Sequence, residues 1–119
     1  MPRLPPALVA SATPRILELL GEPPGTVVEI GFAGIHAGPL RLAGWEVTVV
    51  EPDSTQLERA RQRAGEDVLA AMPERDFDFA VMPEPDMSWG QIPGHVSIGR
   101  VRAGHVVLVH LDGTASLQE

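Results

Sequence analysis

The sequence predicts an α/β fold in which a mostly parallel sheet of four or five strands lies between helices. Short apolar or β-branched runs, typical of strands buried on both faces, occur at residues 27–30, 47–50, 77–82 and 105–111. Segments of helical character alternate with these runs, and strands that alternate with helices are expected to pair in parallel. We therefore expect residues 1–119 to form one three-layer domain.

Capping residues indicate where the first helix lies. Thr13 can cap a helix over residues 13–21, Pro14 suits its first position, and Gly21 can close its end. We expect residues 1–25 to form an N-terminal helical segment that packs on the sheet.

Two more helices are predicted between the strands. One covers residues 36–43, with Pro39 in its first turn, and the other covers residues 57–64 after a cap at Asp53. Residues 66–72 fit either a short strand or a helix. Further expectations are a loop at residues 83–90, a weak helix within 91–102, and frayed residues at 114–119.

Composition excludes several kinds of chemistry. The chain has no Cys and no Lys, which excludes disulfides, thiolate ligands, Schiff bases and a phosphate-binding lysine. The formal net charge of −7 argues against nucleic acid as the main partner. The four histidines show no metal-ligand spacing, so we expect no metal. There is no apolar run long enough for a membrane span or a secretion signal, and a cytoplasmic location is the default expectation.

The first two strands and the turn between them are the most informative part of the chain. The first strand runs into a turn with Gly31 and Gly34, and Glu51 ends the second strand about twenty residues after the turn. At this spacing, a nucleotide-binding βαβ unit places a carboxylate on a ribose. A nicotinamide nucleotide is one ligand compatible with this pattern, although the later glycines of its motif are absent.

Four blocks of sequence together resemble class I S-adenosylmethionine-dependent methyltransferases, a Rossmann-like family. Residues 27–34 resemble the first motif, a strand that ends in an acidic residue and a glycine turn, and residues 47–53 resemble the second strand with its terminal acid. Residues 73–81 resemble the entry to the fourth strand of that family, and residues 98–109 resemble the passage into its fifth strand.

The resemblance implies a role for each matched residue. Gly31 would let the backbone turn beneath the methionine part of the cofactor, and Glu51 would accept hydrogen bonds from both ribose hydroxyls. Glu29 would organise the loop or meet the amino group, and Asp67 matches the acid that reads adenine. The cofactor-binding residues that we expect are Glu29, Gly31, Phe32, Gly34, His36, Glu51, Pro52, Asp67 and Pro83.

Each assignment has a structural alternative. The glycines can serve only a tight turn, and Glu29 can be a structural carboxylate. Glu51 can simply begin a helix-capping turn, Asp67 can be a surface residue, and His36 can be an exposed residue of the first helical turn. The three arginines Arg59, Arg61 and Arg63 are expected to form a solvated helix face.

The chain departs from the family pattern in three ways. Ala33 and Ile35 stand where the family has glycine, the third strand is shortened or lost, and the sequence stops after the fifth strand. We expect an S-adenosylmethionine- or nucleoside-binding protein that is a minimal methyltransferase, and no residue stands out as its general base. The alternative is a non-catalytic, ligand-sensing or dimeric interaction module. Exposed sheet edges favour a homodimer or another protein partner.

Overall fold

The structure is a computed structural model that describes residues 11–51, 53–71, 73, 75–83, 103–109 and 114–118. These residues form helices α1 (Thr13–Leu20), α2 (Ala37–Leu42) and α3 (Ser54–Ala64). They form strands β1 (Thr26–Ile30), β2 (Glu46–Val50), β3 (Phe77–Pro83), β4 (Ala103–Val109) and β5 (Ala115–Gln118). The elements alternate in the order expected of an α/β fold.

The five strands form one sheet with the order β2-β1-β3-β4-β5. β1 pairs in parallel with both β2 and β3, β3 pairs in parallel with β4, and β5 is antiparallel to β4. The mostly parallel sheet confirms the predicted fold class, which is Rossmann-like. An antiparallel edge strand on an otherwise parallel sheet is common in such folds.

Both faces of the sheet are buried. On one face, Val27 and Val81 belong to a core cluster with Ile16 of α1, Leu40 of α2 and Ala60 of α3. On the other face, residues of alternate parity form a second cluster, which includes Val28, Ile30, Val50 and Ala80. Burial on both sides explains why these strands read as continuous apolar runs rather than as alternating patterns.

The first helix forms where the sequence predicts it, but its cap is different. Ala12 is the N-cap residue and makes no side-chain capping bond, while Pro14 lies in the first turn of the helix, directly after Thr13. Thr13 is buried, and its hydroxyl lies 2.7 Å from Nδ1 of His36. The prediction that Thr13 caps the helix is therefore wrong, because a tertiary contact engages its side chain.

The third helix begins earlier than predicted. Asp53 caps it, as expected, by accepting a 3.0 Å hydrogen bond from the amide of Thr55, and helical residues start at Ser54 rather than at 57. After Gly65 the chain makes a turn at residues 66–67, and Leu69 forms an isolated parallel bridge with Val50. The ambiguous segment is thus neither a helix nor a full strand.

The end of the chain differs from the prediction. Residues 115–118 were expected to fray, and that expectation is wrong, because they pair with β4 over Val106 to Val109. Ala115 is buried, and Leu117 packs partly against the main core. The strand expected at 105–111 is β4, which the structure describes two residues earlier, at 103–109.

Some predictions lie outside the described residues. These are Pro52, the side chain of Pro83, the loop over 84–90, the weak helix within 91–102 and the start of the N-terminal segment, residues 1–10. Within the part of the chain that is described, no helix combines the length and the apolar character that crossing a bilayer requires.

Candidate functional site

The turn after β1 is a tight loop, here called the glycine loop and defined as residues 31–36. Gly31 and Gly34 have φ angles of 83° and 75°, and Ala33 has a φ of 52°. The amide of Ile35 donates to the carbonyl of Phe32, which closes a turn within the loop. The two glycines therefore occupy conformations that side chains rarely adopt, as the sequence predicts.

Glu51 joins the end of β2 to the glycine loop. Its Oε1 accepts a 2.8 Å hydrogen bond from the amide of Ala33, and its Oε2 accepts a 3.0 Å hydrogen bond from the amide of Asp53. The side chain is fully buried. A carboxylate that accepts two backbone N–H groups holds both segments in place, and it does so where the backbone of Ala33 is in a left-handed conformation.

Glu29 is the second buried carboxylate of the site. Its Oε2 accepts a 2.8 Å hydrogen bond from the amide of His36, while its Oε1 has no partner among the described residues. Burial raises the pKa of Glu29 to about 7, against the lowering effect of the hydrogen bond from His36. The charge of Glu51 raises the pKa further, and Arg41 and Arg63 lower it.

His36 lies at the end of the glycine loop and is fully buried. Its Nδ1 shares a hydrogen bond with the hydroxyl of Thr13, and its ring meets the ring of Phe32 edge-on at 5.0 Å. Burial lowers the pKa of His36 to about 4, so the ring is neutral at pH 7. Nε2 has no partner within the described part of the chain. The alternative reading of His36 as an exposed residue is wrong.

Two arginines donate hydrogen bonds to backbone carbonyls in and around the glycine loop, and the sequence does not predict these contacts. Arg63 donates a 3.2 Å hydrogen bond to the carbonyl of Ala33, and Arg41 donates to the carbonyls of Ala64 and Val47 at 2.6 and 3.1 Å. Arg63 is exposed, as expected of a solvated helix face, and this hydrogen bond is an additional contact that the sequence does not predict. No local signal predicts it, since the two residues are 30 positions apart.

The structure brings most of the predicted site residues together at one end of the sheet. Those in or beside the glycine loop are Glu29, Gly31, Phe32, Gly34, His36 and Glu51. Asp67 is exposed in the turn after α3. Pro83 is the last residue of β3 and pairs with Val109 in β4.

The strand order locates the natural binding crevice of this sheet. From β1 the chain moves first to β2 on one side and then to β3 on the other. The order therefore reverses between β1 and β3, and ligands of open α/β sheets bind outside the carboxyl ends of the strands at such a switch point. The glycine loop follows β1 at this position.

The described residues show no set of three or more His, Cys, Asp or Glu side chains that could hold a metal ion. His36 and His105 lie in this part of the chain, and His36 is engaged with Thr13. His95 and His110 lie outside it.

The comparisons with known proteins add a likeness of architecture. No protein-family model matches the chain, and no curated protein matches it. One similar solved structure is a SAM-dependent methyltransferase from Thermotoga maritima, described as a possible histamine N-methyltransferase, with 24% sequence identity and a TM-score of 0.46. The match covers 87% of this chain but only 52% of that protein, so this chain spans about half its length. The likeness concerns the fold, and nothing about substrate or activity follows from it.

Proposed function

We propose that this protein binds S-adenosylmethionine or a related nucleoside at the glycine loop, as a methyltransferase-like protein. The observation that supports this proposal best is the contact of Glu51 with the loop. From the end of β2, its carboxylate lies 2.8 Å from the amide of Ala33, beside the switch point in strand order. An acid and a glycine turn in this arrangement suit a ribose and the group attached to it.

The chemistry of the loop matches the parts of such a ligand. A ribose offers two hydroxyl donors, and a carboxylate such as Glu51 is the side chain that accepts both. The ammonium group of the methionine part would pair with Oε1 of Glu29, a buried oxygen without a partner among the described residues. Both carboxylates are fully buried, so a ligand must displace part of the loop to reach them. We therefore expect binding to be accompanied by a local change in the loop.

Methyl transfer, if this chain performs it, depends on positioning. The donor sulfonium and an acceptor atom must be held in line, and such orientation supplies much of the rate enhancement without a general base.

The second candidate is a non-catalytic module of the same fold, which senses a ligand or forms a homodimer. The observation that favours it is that Glu29 and Glu51 both bind backbone amides of the loop, at 2.8 Å in each case. Carboxylates used in this way stabilise the fold without any ligand. In this proposal, the partner is a second copy or another protein that covers an edge of the sheet.

Titration with S-adenosylmethionine, S-adenosylhomocysteine, NAD and ATP by calorimetry and thermal unfolding tests ligand binding. We expect S-adenosylmethionine or S-adenosylhomocysteine to bind, and a ligand present at about one hundred times its Kd stabilises the protein by about 2.7 kcal/mol. Absence of any shift with all four ligands would leave the non-catalytic module as the better reading. If NAD alone bound, the ligand of the glycine loop would be a dinucleotide rather than a methyl donor.

A matched pair of variants tests the role of Glu51. Glu51→Gln should weaken binding about tenfold or more, because a hydrogen bond to a charged group contributes about 1.5–3 kcal/mol. Glu58→Gln, an exposed glutamate on α3, makes the same change in net charge and should leave the Kd unaltered. The thermal stability of each variant without ligand shows whether the substitution has weakened binding alone or has also disrupted the glycine loop. Equal affinities for both variants would remove Glu51 from the site.

A further inference from the structure

Two carboxylates hold the glycine loop on the sheet. Glu29 accepts the amide of His36, and Glu51 accepts the amide of Ala33, each at 2.8 Å. Both side chains are fully buried, and the charge of Glu51 acts on Glu29. Burial removes the water that would otherwise stabilise each negative charge. A state in which both carboxylates are ionised is therefore unfavourable while the loop is closed.

Glu29 is the carboxylate whose charge would be left uncompensated. Glu51 accepts a backbone N–H on each oxygen, whereas Oε1 of Glu29 is buried without a partner among the described residues. Glu29 also forms no ion pair with any residue in that part of the chain. In the closed loop it is therefore Glu29 that keeps its proton, and burial raises the pKa of Glu29 to about 7.

Three helices pack on the face of the sheet that bears Glu29. Glu29 has the same strand parity as Val27 and therefore faces α1, α2 and α3. Arg41 of α2 and Arg63 of α3 act on it, but both direct N–H groups at backbone carbonyls. The other charged residues of these helices are Arg15 and Glu18, which pair with each other, and Glu58, Arg59 and Arg61. None of these groups forms an ion pair with the buried carboxylate.

His36 supplies a backbone donor to Glu29 but no positive charge. Its Nδ1 lies 2.7 Å from the hydroxyl of Thr13, and burial lowers the pKa of His36 to about 4. The ring is therefore neutral from about pH 5 upwards. When Glu29 ionises, one amide hydrogen bond is all that balances the new charge among the described residues.

The glycine loop can relieve this charge by a local movement. Gly31 and Gly34 have positive φ angles of 83° and 75°, and glycine changes between backbone conformations with little steric penalty. Between them, Ala33 has a left-handed φ of 52°, so the closed loop contains strain that opening would release. A local opening at these residues would let water reach Oε1 of Glu29 while the strands stay paired.

We propose that the glycine loop is a pH-sensitive gate, whose local opening is suppressed while Glu29 is protonated and favoured once Glu29 has lost its proton. Water that enters the open loop hydrates Oε1 and restores the stabilisation that burial removes. The gate lies at the nucleoside site proposed above, but it does not rest on that ligand, because it is a property of the unliganded protein.

The direction of the pH dependence follows from the two states of Glu29. The pKa of Glu29 is about 7 in the closed loop and returns towards the ordinary value of 4.5 in contact with water. The closed state is therefore favoured fully below pH 4.5, and this preference is lost as the pH rises to 7. Because opening releases one proton, the opening equilibrium constant should rise by up to about tenfold per pH unit within this window and level off above it.

Amide hydrogen exchange, followed by NMR on the unliganded protein between about pH 5 and pH 8, tests the gate. The amides of Ala33 and His36 report on the loop, and the amides of β1, which pairs on both sides, report on global unfolding. After correction for intrinsic exchange rates, the loop amides should open at least about tenfold more often than those of β1 at pH 7. Equal protection of the loop and β1 at every pH would show that the loop does not open by itself, and would overturn the proposal.

A matched pair of variants assigns the pH dependence to one group. Glu29→Gln keeps the shape of the side chain without a titrating proton, so opening of the loop should no longer change between pH 5 and pH 7. Glu58→Gln, on the exposed side of α3, should retain the full rise. A rise that persists in Glu29→Gln would show that Glu29 is not the switch. If Glu29→Gln does not fold, the comparison of loop and β1 amides in the unchanged protein still decides. Since no ligand is present in these measurements, failure to bind S-adenosylmethionine and failure of the gate are distinguishable.

Discussion

Glu29 and Glu51 are both fully buried beside the glycine loop, yet their surroundings differ. Glu51 accepts a backbone N–H on each oxygen, at 2.8 and 3.0 Å. Glu29 accepts one on Oε2, and its Oε1 has no partner among the residues that the structure describes. Burial without full hydrogen bonding penalises the charged form, which is the main reason that the pKa of Glu29 rises to about 7.

This pKa predicts how stability depends on pH. Glu29 keeps its proton up to about pH 7 in the folded state, whereas a glutamate of ordinary pKa, as in the unfolded chain, loses it near pH 4.5. The contribution of Glu29 is therefore complete below pH 4.5 and is lost as the pH rises to 7. Relative to Glu29→Gln, the free energy of unfolding of the unchanged protein should fall by about 3 kcal/mol across this window. Urea unfolding at several pH values measures the difference.

His36 has the opposite sign, which makes the test specific. The pKa of His36 in the folded state, about 4, lies below the ordinary histidine value of 6.5, so its contribution to stability is complete above pH 6.5 and is lost as the pH falls to 4. Glu29→Gln should leave the loss of stability at acid pH unchanged and should remove only the loss of stability as the pH rises to 7. If Glu29→Gln changed the acid and alkaline losses of stability equally, the assignment of the alkaline loss to Glu29 would be wrong.

Ala33 shows how the loop tolerates a residue that is not glycine. Its φ of 52° is left-handed, a conformation that costs an L-residue about 1–2 kcal/mol. Glu51 binds its amide and Arg63 binds its carbonyl, so both polar backbone groups of the strained residue are satisfied. These two bonds offset the strain.

At the scale of elements, the glycine loop packs directly against α3. A Cβ on Gly34 would lie 3.1 Å from Cβ of Ala64 and 3.3 Å from the carbonyl oxygen of Ala60. Ala60 and Ala64 are themselves buried. Small residues on both sides allow the loop and the helix to approach closely, and this approach places Arg63 next to Ala33.

The same substitution at two neighbouring glycines tests this packing. Gly34→Ala should destabilise the protein by about 2 kcal/mol or more, since it adds steric crowding to an unfavourable φ of 75°. Gly38→Ala lies in α2 with no described atom within 4 Å of the new Cβ, and it should stabilise by about 0.5 kcal/mol. Thermal unfolding compares the two. Equal effects would show that loop and helix are not in close contact.

On its outer edge, β2 pairs with the segment around Leu69 through an isolated bridge rather than through a full strand. Leu69 donates its amide to Val49 and accepts from the amide of Glu51, and the bridge extends no further among the described residues. Arg41 covers the next carbonyl, that of Val47. A side chain thus replaces part of a neighbouring strand, which limits pairing with another chain.

At the scale of the whole molecule, β5 forms the other edge of the sheet. It pairs with β4 and contacts α1, so it ties the end of the described chain to its beginning. Ala115 is buried, and Leu117 packs on the main core. The strand therefore contributes apolar burial as well as hydrogen bonds.

Removal of residues 114–119 tests the contribution of β5. It should lower the free energy of unfolding by about 1 kcal/mol or more, because Leu117 is half-buried and full burial of a leucine side chain contributes about 1.5–3 kcal/mol. It should also promote association, since it exposes the edge of β4. Urea unfolding and size-exclusion chromatography measure both effects, with removal of Glu119 alone as the control. An unchanged urea midpoint would show that β5 adds nothing to stability.

The sequence predicts much of the local structure and part of the site. Gly31 and Gly34 punctuate the turn, Asp53 caps α3, and the apolar runs at 27–30 and 47–50 form β1 and β2. These features depend on backbone conformation and on contacts between near neighbours. For that reason, turn residues and hydrophobic patterns are sufficient to place them.

The tertiary structure alone decides what those elements do to one another. Thr13 leaves its expected cap to meet His36, Arg63 reaches Ala33, and residues 115–118 form an antiparallel strand instead of fraying. Each outcome joins segments that are distant in sequence or depends on competition for a polar group. Sequence by itself determined that an acid and a glycine turn occur at a nucleoside-site spacing, and only the fold decided that both carboxylates are buried and bound to the loop, because burial is a property of the packed chain.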